Sequence, residues 1–180
     1  MGADVRGYEC GKMEKLNKRK IIIVGNPNVG KSLLFNCLTG HYVHVSNYPG
    51  TTVEISHGKM QIEKEHFEVT DTPGMYSLLT MTEDERVTRQ LLFKENPSLV
   101  LHVIDAKNLN RMLHLTLQLL EADLKVCLVL NMMDEAERAG IKIDTVSLEK
   151  ELGIPVVGTV STTGRGIDQL KKCIQEYVFK

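Results

Sequence analysis

The stretch Gly25-Asn26-Pro27-Asn28-Val29-Gly30-Lys31-Ser32 matches the phosphate-loop pattern Gly-x-x-x-x-Gly-Lys-Ser. A β-branched run, residues 20–24, precedes it, and a helical pattern begins at Lys31. Glycines in such a loop let backbone N–H groups turn toward phosphate, and the helix N-terminus adds partial positive charge. We therefore predict a nucleotide site in which Lys31 reaches the β- and γ-phosphates and the Ser32 hydroxyl ligates Mg²⁺. The predicted phosphate-contacting residues are Asn26, Pro27, Asn28, Val29, Gly30, Lys31, Ser32 and Leu33.

The regions around this loop alternate between apolar runs and helical patterns. Residues 99–104 and 126–130 are short, almost continuously apolar segments, and each is followed by a helical stretch. This alternation predicts βαβ units, a mostly parallel sheet of six or seven strands and helices on both faces, a three-layer α/β fold. Residues 53–70 instead alternate apolar and polar side chains, which predicts an antiparallel hairpin at the sheet edge.

A second motif, Asp71-Thr72-Pro73-Gly74, follows the predicted strand 67–70. It places a carboxylate at the carboxyl end of a strand, where open α/β sheets bind ligands. Alone, this pattern is usually a turn. About 40 residues after a phosphate loop, it predicts that Asp71 holds a water of the Mg²⁺ shell and that the Gly74 N–H meets the γ-phosphate.

A third motif, Asn131-Met132-Met133-Asp134, follows the apolar run 126–130. It resembles the Asn-Lys-x-Asp motif with which GTPases bind the base. The Asp134 carboxylate would accept hydrogen bonds from guanine N1 and the exocyclic amine, which adenine does not offer. Met132 replaces the usual lysine and supplies an aliphatic surface without its charge. The alternative is that Asp134 only caps a helix starting at Glu135.

The segment 160–166, Val-Ser-Thr-Thr-Gly-Arg-Gly, follows the last predicted strand. It resembles the loop whose backbone contacts guanine O6 in GTPases. As the fourth motif in the expected order, it predicts base contacts from Ser161 and Thr162. Together with Asn131, Met132 and Asp134, these residues form the predicted base site.

Residues 40–52 are predicted to form a polar loop between the first two motifs. Loops of this length in a compact domain are usually functional or mobile. We expect Thr52, with Thr51 as the alternative, to close onto Mg²⁺ and the γ-phosphate when GTP binds. His41 and His44 lie here too, but with no carboxylate nearby they are interpreted as solvent-exposed side chains.

Composition is that of an ordinary globular protein. Of 180 residues, 42% are hydrophobic and 25% charged, and the net charge of -1 gives no overall basic field to attract nucleic acid. The four cysteines lie far apart in sequence, which argues against a zinc site and a disulfide framework and favours a reducing, cytoplasmic setting. No apolar run approaches the length of a membrane span. We expect a flexible leader over residues 1–19 and one domain over 20–180.

These motifs together resemble the GTPase domain of the ferrous-iron transport protein B (FeoB) family. Beyond the phosphate loop, the specific strings are Asn-Tyr-Pro-Gly-Thr-Thr-Val-Glu at 47–54 and Asp-Thr-Pro-Gly-Met-Tyr-Ser-Leu at 71–78. The resemblance covers about residues 20–178. It implies a P-loop GTPase fold, GTP or GDP with Mg²⁺ as ligands, and helical and membrane domains of a full-length protein as partners, at the cytoplasmic face of the cell membrane.

The resemblance also bears on mechanism. It assigns a K⁺ ion to Asn28, where the cation would neutralise charge developing between the β- and γ-phosphates. Met75 takes the position at which Ras-like proteins carry a water-orienting glutamine, so we expect slow intrinsic hydrolysis. The predicted catalytic residues are Lys31, Asn28, Thr52 and Gly74, and the predicted metal-binding residues are Ser32, Thr52 and Asp71 for Mg²⁺ and Asn28 for K⁺.

The leading hypothesis is a GTP-hydrolysing switch that regulates ferrous-iron uptake through a membrane domain outside this chain. One alternative is a soluble GTPase of the ribosome-assembly or tRNA-modification type, although no basic or aromatic RNA-binding segment is seen and no nucleic-acid partner is expected. The other is a nucleotide-gated interaction module. Homo-oligomerisation is left open.

Overall fold

The computed structural model describes residues 19–40 and 43–179. In the described chain, a seven-stranded sheet has the order β2-β3-β4-β1-β5-β6-β7. Its strands are β1 Arg19–Val24, β2 Val43–Asn47, β3 Glu54–Ile62, β4 Glu65–Asp71, β5 Leu99–Asp105, β6 Val126–Asn131 and β7 Val156–Gly158. The helices are α1 Lys31–Thr39, α2 Glu83–Lys94, α3 Leu109–Glu121, α4 Met133–Arg138, α5 Thr145–Leu152 and α6 Ile167–Val178, with a short 3-10 helix at Ala106–Asn108.

The central strands are apolar because helices cover both faces of the sheet. All six residues of β6 are buried, and β1 pairs in parallel with both β4 and β5. Successive side chains of a strand point to opposite faces, so these strands feed two apolar clusters. Ile21 and Ile23 belong to one cluster with α1 and α6, while Ile22 and Val24 belong to the other with α2 and α3. The predicted three-layer α/β fold is confirmed.

The region after α1 differs from the sequence prediction. Residues 43–47, expected within a polar loop, form β2, which pairs antiparallel with β3. The β3–β4 hairpin is present as predicted, but β2 rather than the hairpin occupies the edge. Val43 and Val45 are β-branched, and pairing satisfies their backbone hydrogen bonds along the otherwise open edge of β3. The apolar-polar alternation of Val43 to Ser46 is only four residues long, and Val43 and Val45 stay exposed, so the strand has no buried apolar face.

Element ends follow local capping chemistry with two corrections. Thr82 and Glu85 form a capping box at the start of α2, and Gly153 ends α5 in the left-handed conformation. The helix expected from Glu135 begins at Met133 instead. Arg19, assigned by sequence to the leader, opens β1 and pairs with Glu65 of β4, while residues 1–18 of that predicted leader, and His41, lie outside the described residues.

In the part of the chain that the structure describes, no helix combines the length and the apolar character needed to cross a lipid bilayer.

Candidate functional site

The phosphate loop, residues 25–32, joins the carboxyl end of β1 to α1, as predicted. Two glycines are required by close approach. Gly25 has φ 147°, and a Cβ there would lie 2.1 Å from the Val103 carbonyl oxygen. Gly30 has φ 85°, and a Cβ there would lie 2.4 Å from Asn131 Nδ2. The loop is therefore fixed both by its own left-handed residues and by contacts with β5 and the end of β6.

Lys31 and Asp71 form a buried pair of opposite charges beneath the loop. The Lys31 ammonium donates a hydrogen bond to the Asn26 carbonyl oxygen at 3.0 Å. Burial lowers the pKa of Lys31, an effect that the charge of Asp71 opposes. Burial raises the pKa of the Asp71 carboxyl, against hydrogen bonding from Ser32 and the positive charge of Lys31. Both charges are thus partly desolvated at the place where phosphates and a cation would neutralise them.

The residues present fit a Mg²⁺ ion. Asp71 Oδ1 is buried and accepts no hydrogen bond from any described residue. An orphaned carboxylate oxygen of this kind is suited to a water of a metal's hydration shell, since Mg²⁺ prefers oxygen ligands and keeps several waters. Ser32 lies in the first turn of α1 and its side chain is exposed. Its hydroxyl is therefore available as a second oxygen ligand for the ion.

The segment after Asp71 packs directly against the phosphate loop. Thr72 anchors it by donating its hydroxyl to the Ile23 carbonyl oxygen at 2.8 Å. A Cβ on Gly74 would lie 2.6 Å from Pro27 Cγ, so glycine is needed for this approach. The Met75 N–H donates to the Gly25 carbonyl oxygen at 3.0 Å, while its side chain is completely buried in the α2/α3 cluster. The side chain at the position of the usual glutamine therefore faces the core rather than the site.

Residues 73–82, which we name the switch segment, are held by side chains of two helices. Glu85 of α2 accepts hydrogen bonds from the backbone N–H groups of Tyr76 and Met81, and those bonds, led by that of Met81, lower its pKa. Gln118 of α3 accepts from Ser77 Oγ at 3.0 Å and from the Leu78 N–H at 2.8 Å. Met75 and the partly buried Leu78 anchor the segment in the α2/α3 cluster, whereas Leu79 and Met81 are exposed by 76% and 91%, so the part from Leu79 to Met81 is held by its backbone hydrogen bonds rather than by apolar burial.

Asn131 ties the base side of the site together. Its Nδ2 donates to the Val29 carbonyl oxygen of the phosphate loop at 2.9 Å. Its Oδ1 accepts from Thr159 Oγ1 at 3.1 Å, from the Ser161 N–H at 3.1 Å and from Ser161 Oγ at 2.9 Å. All of these bonds are buried. We name Val29, Asn131, Thr159 and Ser161 the base clasp, because they fix the phosphate loop and the loop 160–166 to one another.

Asp134 lies on the surface beside the base clasp. The N-cap of α4 is Met132, in a left-handed conformation with φ 60°, and no side chain caps the helix. The alternative in which Asp134 merely caps a helix is therefore wrong. Its carboxylate accepts one hydrogen bond from Arg138 Nη2 at 2.9 Å, an i,i+4 pair whose arginine side chain is 72% exposed. Such surface pairs are weak, so the carboxylate is available to a ligand.

The predicted switch threonines differ in their surroundings. Thr51 Oγ1 donates to the Tyr48 carbonyl oxygen at 2.9 Å and accepts from the Val53 N–H at 3.2 Å, which closes the turn before β3. Thr52 is exposed. Among the described residues no hydrogen bond joins Thr52 to the phosphate loop. Asn28 is also exposed, with φ 64°.

Three contributors were missed by sequence reasoning. Thr159 directly follows the last strand and could have been suspected as a hydroxyl donor there. Glu85 of the α2 capping box also accepts a hydrogen bond from the Tyr76 N–H, and no local pattern signals that bond. Arg165 pairs through both terminal nitrogens with Glu137 of α4, 28 residues away, which links the loop 160–166 to the helix carrying Asp134. Contacts over that sequence separation have no pattern in the sequence.

Comparisons with known proteins agree with this geometry. The family model described as "Ferrous iron transport protein B" matches residues 19–174. The Fe(2+) transporter FeoB of Escherichia coli K12 is 42% identical over 166 residues, which are 90% of this chain and 22% of that protein, so the chain spans about a fifth of this relative.

Solved structures show the same fold. The FeoB G-domain of Methanococcus jannaschii is 41% identical, with a TM-score of 0.80, over 91% of this chain and 99% of that one. The cytosolic domain of the T. maritima FeoB iron transporter, solved in GMPPNP and GDP forms, is 44% identical with a TM-score of 0.87, over 90% and 91% of this chain and 64% of that one. The fold is that of a P-loop GTPase, and the chain belongs to the ferrous iron transport protein B family.

Proposed function

We propose that this chain is a guanine-nucleotide switch that hydrolyses GTP to GDP and phosphate with Mg²⁺. The observation that carries the proposal is the base clasp, in which one buried amide joins the phosphate loop to the base loop. It holds Asp134 and the loop 160–166 at a set distance from Lys31. The nucleotide forms in which the T. maritima relative was solved support this assignment.

Each predicted residue has a distinct part in binding. The loop backbone and the buried Lys31 ammonium would hold the β- and γ-phosphates, and desolvation strengthens their attraction. Ser32 and, through water, Asp71 would hold Mg²⁺, which supplies charge neutralisation between the β- and γ-phosphates. Thr52 would join them once the turn at 48–53 moves toward the bound nucleotide. Asp134 would select guanine over adenine.

The arrangement favours slow hydrolysis in the isolated chain. The Met75 side chain is buried and a thioether accepts hydrogen bonds only weakly, so it orients no attacking water. The Gly74 N–H and the neighbouring backbone remain to position the γ-phosphate. Asn28, exposed at the mouth of the loop, offers an amide oxygen to a K⁺ ion lying against the phosphates. K⁺ would then raise the rate.

At the level of the whole protein, we propose that this chain lies at the cytoplasmic face of the membrane. Its nucleotide state there regulates ferrous-iron uptake by the membrane domain. The match to the Fe(2+) transporter FeoB of E. coli supports this role. The exposed Leu79 and Met81 of the switch segment offer an apolar contact that could transmit the nucleotide state to such a partner.

Base selection tests the proposal. Asp134→Asn should weaken GDP binding by at least tenfold and raise the affinity for xanthosine diphosphate, because an amide donates where guanine also donates. Fluorescent-nucleotide titration measures both. Arg138→Ala, which removes only the surface partner of Asp134, is the matched control and should leave GDP affinity within twofold. Unchanged GDP affinity in Asp134→Asn would refute the base site.

The K⁺ hypothesis is tested by hydrolysis rates in KCl and NaCl. K⁺ should accelerate GTP turnover in the wild type, and Asn28→Ala should remove that acceleration while GDP affinity changes little. Equal rates in the two salts for the wild type would remove K⁺ from the mechanism and leave the guanine assignment intact.

A further inference from the structure

Two cysteines that are distant in sequence meet on one face of the sheet. Cys127 lies on β6 and Cys173 on α6, 46 residues later, and their Sγ atoms are 3.9 Å apart. Cys127 is completely buried and Cys173 is partly exposed. The structure thus makes a pair where the spacing in sequence argued against any disulfide framework.

The two sulfurs are in van der Waals contact but are not bonded. A disulfide needs an S–S length of about 2.05 Å, so the two sulfurs must approach by roughly 2 Å from their present contact. Rotation about a cysteine χ1 and a small shift of α6 supply such a movement. Cys37 is differently placed, since its Sγ donates to the Ser161 carbonyl oxygen at 3.3 Å. None of the three described cysteines is in a disulfide.

We propose that Cys127 and Cys173 form a dithiol modification site that a hydroperoxide oxidises to a disulfide joining β6 to α6. Cys173 reacts first, because it is the partly exposed residue of the pair and Cys127 is completely buried. Its thiolate attacks the peroxide O–O bond and becomes a sulfenic acid, and the leaving hydroxide takes the thiol proton to form water. Cys127 Sγ then attacks the sulfenic sulfur, and the departing hydroxide leaves with the Cys127 proton as a second water.

The surroundings of the pair favour this order of events. Hydrogen bonding with Cys173 and burial raise the pKa of the Cys127 thiol, so it is held protonated and protected until its neighbour has been oxidised. Leu170 and Ile174 of α6 are buried in the same apolar cluster as Cys127, which limits how far the helix moves away. A sulfenic acid at Cys173 therefore has a resolving thiol beside it.

The consequence is a covalent attachment of the last described helix to the sheet. Helix α6 begins at Ile167, directly after the loop 160–166, and β6 ends at Asn131 of the base clasp. The bond would constrain a 46-residue stretch and so raise the melting temperature by roughly 10 °C. The inference does not rest on the proposed GTPase function, and either can fail alone.

Peptide mapping tests the site directly. The reduced chain is treated with a small excess of hydrogen peroxide, capped with an alkylating reagent and digested with trypsin. Peptides 126–138 and 173–180 should appear joined, two hydrogens lighter than their sum, and dithiothreitol should separate them. Cys127→Ala should abolish the joined species and accumulate sulfinic acid at Cys173, whereas Cys37→Ala, the matched control, should crosslink like the wild type.

Melting temperature supplies the second measurement. The oxidised wild type should melt about 10 °C higher than the reduced form, and peroxide should give Cys173→Ala no such increase. The proposal would be overturned if Cys173 of the wild type were oxidised to sulfinic acid as fast as in Cys127→Ala and no joined peptides appeared. A crosslinked chain that melts no higher than the reduced one would also overturn it, since that bond would not join the native positions.

Discussion

The base side of the site and the switch side are held by different kinds of hydrogen bond. The base clasp consists of buried bonds centred on the Asn131 amide. The switch segment is instead tethered at its backbone by Glu85 and Gln118 through partly buried hydrogen bonds, and its Leu79 and Met81 side chains face solvent. Fully buried bonds are costly to leave unmade, whereas water competes more readily for partly buried ones. The molecule therefore preorganises base and phosphate binding and leaves the switch side to be completed by ligands or partners.

The largest expected effect comes from breaking the clasp. Asn131→Ala leaves three donors and the Val29 carbonyl oxygen without their buried partner, so the free energy of unfolding should fall by about 3 kcal/mol and GDP should bind about 100-fold more weakly. Urea denaturation and nucleotide titration measure these quantities. Asn108→Ala, which removes a partly exposed bond to Asp105, is the matched control. If Asn131→Ala lost no more stability and GDP affinity than Asn108→Ala, the base side would not be the more firmly held side of the site.

The contact between the two sides is tested at Gly74. Gly74→Ala places a methyl group against Pro27 and should push the switch segment from the phosphate loop, lowering GTP turnover about tenfold with GDP affinity nearly unchanged. Single-turnover hydrolysis and GDP titration separate these effects. Gly140→Ala, where φ is 72° but a Cβ meets nothing within 4 Å, controls for the backbone cost of losing a glycine without a steric contact. If GDP affinity fell as far as turnover, the two sides would not be separable.

The Glu85 tether gives the switch side a pH dependence. Its pKa is lowered in the folded chain, so the unfolded chain takes up a proton first as pH falls, and the stabilisation by this carboxylate is full above the unfolded pKa and lost as pH falls through the folded one. Glu85→Gln should therefore cost about 1 kcal/mol at pH 7 and progressively less below pH 4.5. Urea denaturation at several pH values measures it, with exposed Glu83→Gln as control. A pH-independent difference would contradict this origin.

The smallest effect is expected at the rim of the base side. Arg165 and Glu137 join the base loop to α4, but both side chains are about half exposed. Salt and water compete with such a pair, so Arg165→Ala should change GDP affinity by less than about twofold. Repeating the titration at high salt should leave even less difference. A tenfold loss would mean that the base side depends on its surface contacts as well as on the clasp.

The described structure shows where sequence reasoning succeeded and where it did not. The phosphate loop was predictable because its backbone conformation requires glycines at set positions. The parallel strands were predictable because burial on both faces requires continuous apolar runs. Strand β2 was not predicted, since its apolar-polar alternation spans only four residues, its valines stay exposed, and its pairing depends on the edge of β3. The burial of Met75 was equally hidden, because a methionine after a turn suits either solvent or core.

By itself the sequence determined the kind of site: a phosphate-binding loop, a carboxylate at the end of β4 and a base motif at the end of β6, each written in a few consecutive residues. Only the tertiary structure decided how these pieces are joined. The Asn131 clasp, the Gly74–Pro27 contact, the Glu85 tether and the Cys127–Cys173 pair all link residues that are far apart along the chain or in different elements. Motifs of consecutive residues can be recognised in the sequence, whereas contacts between elements form only once the strands have taken their order in the sheet.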